Sequence, residues 1–579
     1  MKKPVIIGLV VAVLLAAACA PTSKEDTGSA VTPVPDGSGA PPPGVTVEPA
    51  APGAGGVRHE LAVTPSRPKQ AHTAHPAGRP VARADTFAAD LAALRPPAEP
   101  VNRENYHGFH DHPLRLAAED PFSTFSIDVD TGAYSNVRRL LQRGSMPPAH
   151  AVRAEELINY FGYDYPAPAG RERPFRVTTE IGPTPWNPQT RLLHIGLKGY
   201  AVPPDQLPAS NLVFLVDVSG SMRAPAKLGL LKNALRLLVG QLDGDDRIAI
   251  AVYAGAAGTV LESTSGDHKA AIKAAIDGLT AGGSTNGGAG IRLAYDLARQ
   301  GWIEGGVNRV ILATDGDFNL GMVDFDALVG LVERERGSGI GLTTLGLGAG
   351  NYNDHLMERL ADAGNGNHAY IDTLAEARKV LVEEMSATLF TIAHDVKIQL
   401  EFNPAVVAEY RLIGYENRAL AREDFANDRV DAGDIGAGHT VTALYELTLV
   451  DSPARRLSPG RYQTPVVADG GRDGEVGLLR LRYKTAHDGA SVLQEKVLAV
   501  SDSAPLLAET SQDFRFAAAV AAFAQRLRGG KYLEGFDYPE ILALAQGARG
   551  DDPFGYRGGF LPLVALAEAL ESPPAAGGK

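Results

Sequence analysis

Two nearly unbroken apolar runs constrain this chain most: Leu212-Val213-Phe214-Leu215-Val216, and the stretch Arg309-Val310-Ile311-Leu312-Ala313-Thr314. A strand that is apolar on both faces must be covered on both faces, as the central strands of a parallel sheet are. Each run leads directly into an aspartate, Asp217 and Asp315. In open α/β sheets ligands bind just beyond the carboxyl ends of the strands, where both carboxylates would stand. Hydroxyls gather in the same settings: Ser219 and Ser221 follow Asp217, and Thr285 lies in the loop Gly282-Gly283-Ser284-Thr285-Asn286-Gly287-Gly288. Taken singly, each of these residues also suits a turn or a helix cap. Together, two carboxylates and three hydroxyls, with no Cys or His among them, form a set of hard oxygen donors. Such a set suits Mg2+ or Mn2+, with Ca2+ a third candidate, far better than zinc or copper.

At 579 residues the chain exceeds one hydrophobic core, and two to four domains are expected. The net charge of −13 and the lack of a dense Lys/Arg stripe argue against nucleic acid as a partner. Lys2 and Lys3, the apolar stretch Val5 to Leu15 and the small residues Ala16-Ala17-Ala18 make an export leader too short to be a membrane span. Cys19, the chain's one cysteine, follows them, and the whole resembles a bacterial lipobox, although Leu15 stands four residues before the cysteine where three is usual. The resemblance implies a protein lipidated at Cys19 and held to a membrane there. Ala20 in place of Asp implies the outer membrane if the source is a Gram-negative bacterium. An exported chain with no second cysteine has no disulfide and must hold its folds by packing.

Composition and periodicity divide the chain into a leader (1–19), a Pro/Ala/Gly-rich disordered tether (20–104), a flanking domain (105–204), an α/β domain (205–390), a β-sandwich region (391–505) and a helical end (506–579). Strands alternating with helices through the α/β domain, such as the helix near 226–241, indicate a doubly wound, Rossmann-like parallel sheet. Beyond residue 390 the period becomes two, as in Val396, Ile398, Leu400 and Phe402, or Val441, Ala443, Tyr445 and Leu447, which predicts an antiparallel sheet with one wet face, as in a sandwich. Phe175, Val177, Thr179 and Ile181, then Leu193, Ile195 and Leu197, have the same character. They are expected to join that sheet, so that the α/β domain is inserted in, or flanked by, the sandwich. Near the end, Thr510 and Asp513 read as a capping box for a helix carrying Phe516, Val520, Phe523 and Leu527 on one face.

The pattern D-x-S-x-S, a Thr in a Gly-rich loop and then T-D-G resembles the metal-ion-dependent adhesion site of von Willebrand factor type A (VWA) domains. The match covers roughly residues 205–390. The resemblance implies that Asp217, Ser219, Ser221, Thr285 and Asp315 hold the cation directly or through water, and that a carboxylate from a protein partner completes its coordination. It also implies a last domain helix that moves in some relatives, for which Leu374 to Met385 is the candidate. The segments Ser123 to Thr131 and Glu155 to Phe161 resemble the region ahead of the VWA domain in bacterial lipoproteins of the YfbK type. A non-enzymatic, metal-dependent binding protein of the cell envelope is therefore expected. The alternatives are an envelope scaffold whose metal only stabilises the fold, and a metal-assisted hydrolase, for which the motif loops offer no base. Other signals fail. Asp315-Gly316-Asp317-Phe318-Asn319 has Leu320 where a calcium loop needs Gly. Gly346-Leu347-Gly348-Ala349-Gly350 lacks nucleotide-site spacing. His107, His110 and His112 read as solvated coil.

Overall fold

The structure, a computed structural model, describes residues 104–571, except 107, 128–129, 204–205, 284–286, 317–324, 349–351, 459, 461–471, 473 and 487–488. The leader, Cys19, the tether and Thr285 lie outside the described residues. Two short strands open the fold, β1 (Arg115–Leu116) and β2 (Phe122–Ser126), followed by the helices Gly132–Gln142 and Ala154–Asn159. The alternating segments then form a long antiparallel pair, β3 (Phe175–Thr184) and β4 (Asn187–Gly199), with Ile181 opposite Leu193 and Val177 opposite Leu197.

The apolar runs are central strands, as their composition requires. β5 (Ser210–Asp217) is flanked by β6 (Arg247–Tyr253) and β8 (Val307–Thr314), parallel to both. With β7 (Ala257–Ser265), β9 (Ile340–Leu347) and β10 (His368–Ile371) they form one sheet in the order β10-β9-β8-β5-β6-β7, antiparallel only at β7. Alternate residues of β5 serve two cores. Leu212, Phe214 and Val216 pack under Leu231, Leu235 and Leu238 of helix Leu230–Gln241 and Ile272 and Ile276 of helix Lys269–Gly278. Val213 and Leu215 pack on the other face against Ile291 and Ala294 of helix Gly287–Gln300, in a core shared with Leu328 and Leu360. This is a doubly wound parallel sheet, the fold that the VWA resemblance implies. The expected helix from Leu374 to Met385 runs as α-helix Leu374–Arg378, continues directly into π-helix Lys379–Glu383, and is broken at Glu384 before a short helix Met385–Leu389.

The chain then returns to antiparallel structure with β11 (Thr391–Phe402), β12 (Val407–Ile413), β13 (Gly433–Gly436), β14 (Thr440–Leu449), β15 (Glu475–Lys484) and β16 (Val492–Ala499). One sheet runs β1-β12-β14-β4-β3 and the other β13-β11-β15-β16, with β2 also on β11. β4 precedes the α/β domain and β14 follows it, yet they pair from Arg191↔Leu447 to Lys198↔Thr440. The α/β domain is thus an insertion in a sandwich. Leu193, Ile195, Ile398, Leu400, Tyr445 and Leu481 share the inter-sheet core.

The expectation of one wet face holds for only one sheet. Along β15 buried residues alternate with the half-exposed Arg480, Arg482 and Lys484. Every residue of β12, and all but the last of β14, is buried. Leu192, Ile413 and Leu444 point away from the inter-sheet core and pack with Leu157, Phe516, Val520 and Phe523, because helices from both ends of the described chain cover that face. Those helices include Gln512–Leu527, Tyr538–Gly547 and Tyr556–Glu571. The first is capped by Ser511, whose hydroxyl accepts from Phe514 N at 3.0 Å, and not by the expected box: Thr510 donates to Leu507 O and Asp513 pairs with Arg557.

His194 on β4 lies at this sheet–helix junction, 1% exposed, with Nε2 2.8 Å from the Tyr165 hydroxyl. Burial pushes its imidazole down to about 3. Below the ordinary histidine value the unfolded chain gains a proton that the folded chain refuses, so this residue's contribution falls as pH falls from about 6.5 toward 3. Urea unfolding of wild type and His194→Gln at pH 7 and pH 5 should show the wild type losing about 2 kcal/mol more than the variant across that interval.

Candidate metal centre

The strand order fixes where the candidate residues meet. From β5 the chain moves to β6 on one side and later returns to β8 on the other, so β5 and β8 flank the point where the winding reverses. A crevice opens at the carboxyl ends of such a pair. Asp217 ends β5 and Asp315 directly follows β8, and both are 0% exposed. Asp217 is held on two sides. Its Oδ1 accepts from Ser219 N at 2.8 Å, and its Oδ2 accepts from the Thr314 hydroxyl at 3.0 Å. That geometry turns the chain back over the strand end and brings the Ser219 and Ser221 hydroxyl oxygens to 2.9 Å from each other.

Two backbone bonds dock the Gly-rich loop on this turn: Gly282 N donates to Val218 O at 2.7 Å and Gly220 N to Gly283 O at 3.1 Å. On the other flank, Gly316 N donates to Thr314 Oγ1 at 3.2 Å. Gly316 has φ +89°, and a Cβ there would stand 2.4 Å from Asn353 N, because the chain leading from β9 crosses directly above it. Asn105 pairs with this crossing segment, its N–H donating to Tyr352 O at 3.0 Å. The start of the described chain is therefore fastened beside the candidate site.

Burial pushes the Asp217 carboxyl above the ordinary aspartate range, and the negative charge of Asp315 adds to this; the Ser219 and Thr314 hydrogen bonds oppose it. Tyr253, at the end of β6, is raised for the same leading reason, burial, with Asp217 contributing. Two carboxylates buried side by side call for positive charge. The described donors fit a hard divalent cation: all are oxygens, and two of them are neutral hydroxyls. Their 2.9 Å spacing is close to the ~3 Å between adjacent ligands of an octahedral ion with ~2.1 Å bonds. Among the described residues no group of three or more His, Cys, Asp or Glu side chains is placed to hold a metal, so a cation here would draw on neutral oxygens besides the two carboxylates.

Two family profiles agree with this division into domains. Residues 212–317 match the profile of the von Willebrand factor type A domain, residues 100–194 one described as von Willebrand factor, and residues 387–570 one described as the C-terminal part of uncharacterized protein YfbK. The chain is 47% identical over 494 residues to the Escherichia coli (strain K12) protein described as uncharacterized protein YfbK, which covers 84% of this chain and 85% of that one. The chain belongs to the YfbK family. A Synechocystis protein described as uncharacterized protein sll0103 is 28% identical over 334 residues, covering 56% of this chain and 72% of its own. Among solved structures, von Willebrand factor type A from Catenulispora acidiphila is 17% identical and covers 65% of this chain and 86% of its own, with a TM-score of 0.39.

Two side chains at the site escaped the sequence reading. Thr314 belongs to the T-D-G motif, but its role as the clasp on Asp217 depends on β5 and β8 being neighbours. Lys227 lies ten residues beyond Asp217, in a segment that reads as the start of a helix, and its ammonium donates to Asp315 Oδ2 at 2.7 Å. A lysine is the most ordinary of helix residues, and only the spatial return of β8 gives this one a partner. Replacing Gly316 with Ala should lower unfolding stability by at least about 1–3 kcal/mol in urea, from the positive φ alone. Unchanged stability would show that the Tyr352–Asn353 segment does not rest on it.

Proposed function

We propose that this chain is a cell-envelope lipoprotein whose VWA domain binds Mg2+ or Mn2+ and captures an acidic residue of a protein partner. The observation that carries the reading is the convergence of Asp217, Ser219, Ser221 and Asp315 at the β5/β8 crevice, with the two hydroxyl oxygens 2.9 Å apart. Asp217 orients the turn by accepting from Ser219 N and Thr314, and Ser219 and Ser221 offer neutral oxygens. Asp315 supplies the second carboxylate, and Thr285 is assigned to the same set from its motif. When bound, the divalent ion supplies a concentrated positive charge with an open position for a carboxylate. With so few anionic donors the net charge stays favourable to an acidic ligand.

The proposal places the body outside the cytoplasm, held by lipid on Cys19 at the end of the Pro-rich tether, with the outer membrane as its site. Among the described residues no helix is long and apolar enough to cross a membrane. A binding role rather than an enzymatic one is proposed because the site is built from hydroxyls and carboxylates, and among the described residues no histidine is bonded to Ser219 or Ser221.

Immobilised protein should retain an envelope partner in Mg2+ and release it in EDTA, and Ser219→Ala should fail to retain it while unfolding at a temperature close to that of wild type. Retention that survives both EDTA and Ser219→Ala would move the binding surface to the sandwich and favour the scaffold reading.

A further inference from the structure

Lys227 is unusual for a lysine. It is 8% exposed, and it lies in the π-turn Pro225–Gly229, after the Ser219–Ser221 turn and before helix Leu230–Gln241. Its aliphatic stem crosses Gly348 at the end of β9: a Cβ on that glycine would fall 2.3 Å from Lys227 Cε. Gly348 also has φ +78°, a conformation that favours glycine, and a side chain there would push the lysine stem aside. The stem thus lies directly over bare backbone at Gly348, and the ammonium beyond it reaches Asp315 Oδ2 at 2.7 Å. Asp315 is fully buried, and its charge acts on the equally buried Asp217.

A buried ammonium is costly unless it is paired, and two adjacent buried carboxylates are costly without a cation. The ion pair addresses both costs at once. We propose that Lys227 is the built-in counter-ion of this site: its ammonium neutralises Asp315 whenever no divalent cation is bound, and it opposes the cation that binds, so that Lys227 sets how tightly the site holds metal. This rests on the metal-capture reading above and goes beyond it by assigning a tuning role to a residue outside the motif. With Lys227 the described side chains carry a formal charge of −1 at the site; without it they carry −2. The domain then needs no metal to remain folded, and metal occupancy becomes responsive to the carboxylate that a partner brings, because the site alone holds the ion loosely.

The test is Lys227→Met in the full chain, which keeps the stem and removes the charge. Mn2+ binding is measured by calorimetry, and the unfolding temperature is measured in EDTA and in excess Mn2+. The variant should bind Mn2+ at least ten-fold more tightly than wild type. It should also unfold at a lower temperature in EDTA and gain more from Mn2+. If Lys227→Met folds poorly, refolding in excess Mn2+ should rescue it, whereas a mere packing defect would not be rescued. Equal or weaker Mn2+ binding by the variant, with wild type binding normally, overturns the counter-ion role and leaves the metal reading intact. No Mn2+ binding by either protein overturns both.

Discussion

The pairing of β4 with β14 is the constraint on which the rest of the molecule depends. It joins a strand that precedes the VWA domain to one that follows it, from Arg191↔Leu447 to Lys198↔Thr440. Leu193, Ile195, Val441, Ala443 and Tyr445 can be buried only when both are in place. On the opposite face the same sheet presents Leu192 and Leu444 to helices drawn from both sides of the insertion. A strand register therefore closes the sandwich, supports the helical layer and fixes the two points at which the VWA domain leaves and re-enters it.

Buried charge then fastens the inserted domain to its frame. Arg153, at the start of helix Ala154–Asn159, pairs with Glu156 beside it and with Asp354 of the VWA domain. Burial alone would raise the Asp354 carboxyl, but Arg153 and His368 outweigh it and hold it below the ordinary range. Arg138 of helix Gly132–Gln142 reaches Glu376 at 2.8 Å, at the start of the broken final segment of the domain. Tyr160 donates to the same carboxylate at 2.7 Å. Removing one partner from such a pair leaves the other charge buried and uncompensated. The frame therefore grips the domain near Asp354 and Glu376, while the β5/β8 crevice is formed by the strands of the domain itself.

Much of this was legible in sequence because it is written in local pattern. Continuous apolar runs gave the central strands, period-two segments gave the sandwich, and the position of Asp217 and Asp315 after strands gave the crevice. The insertion could be anticipated because residues 175–197 share a period with residues beyond 390. What stayed hidden depends on distant neighbours. The helices that cover β12 and β14 erase the expected wet face: the alternation along Thr440–Leu449 sets Thr440, Thr442, Glu446 and Thr448 on one face, and nothing in that pattern shows that helices bury it. The Ser511 cap displaces the Thr510 reading by one residue, a difference decided by which hydroxyl faces the helix end. Thr314 and Lys227 acquire their roles only because β8 returns beside β5. Thr285 and Cys19 belong to the sequence reading alone, since both lie outside the described residues.

The most direct test of the central claim is a crystal structure of residues 101–579 grown in Mn2+, with anomalous data collected at the manganese edge. The account predicts one strong anomalous peak within bonding distance of the Ser219 and Ser221 hydroxyl oxygens, at the carboxyl ends of β5 and β8. An absent peak, or one bound elsewhere with these two hydroxyls still turned toward each other, would contradict it.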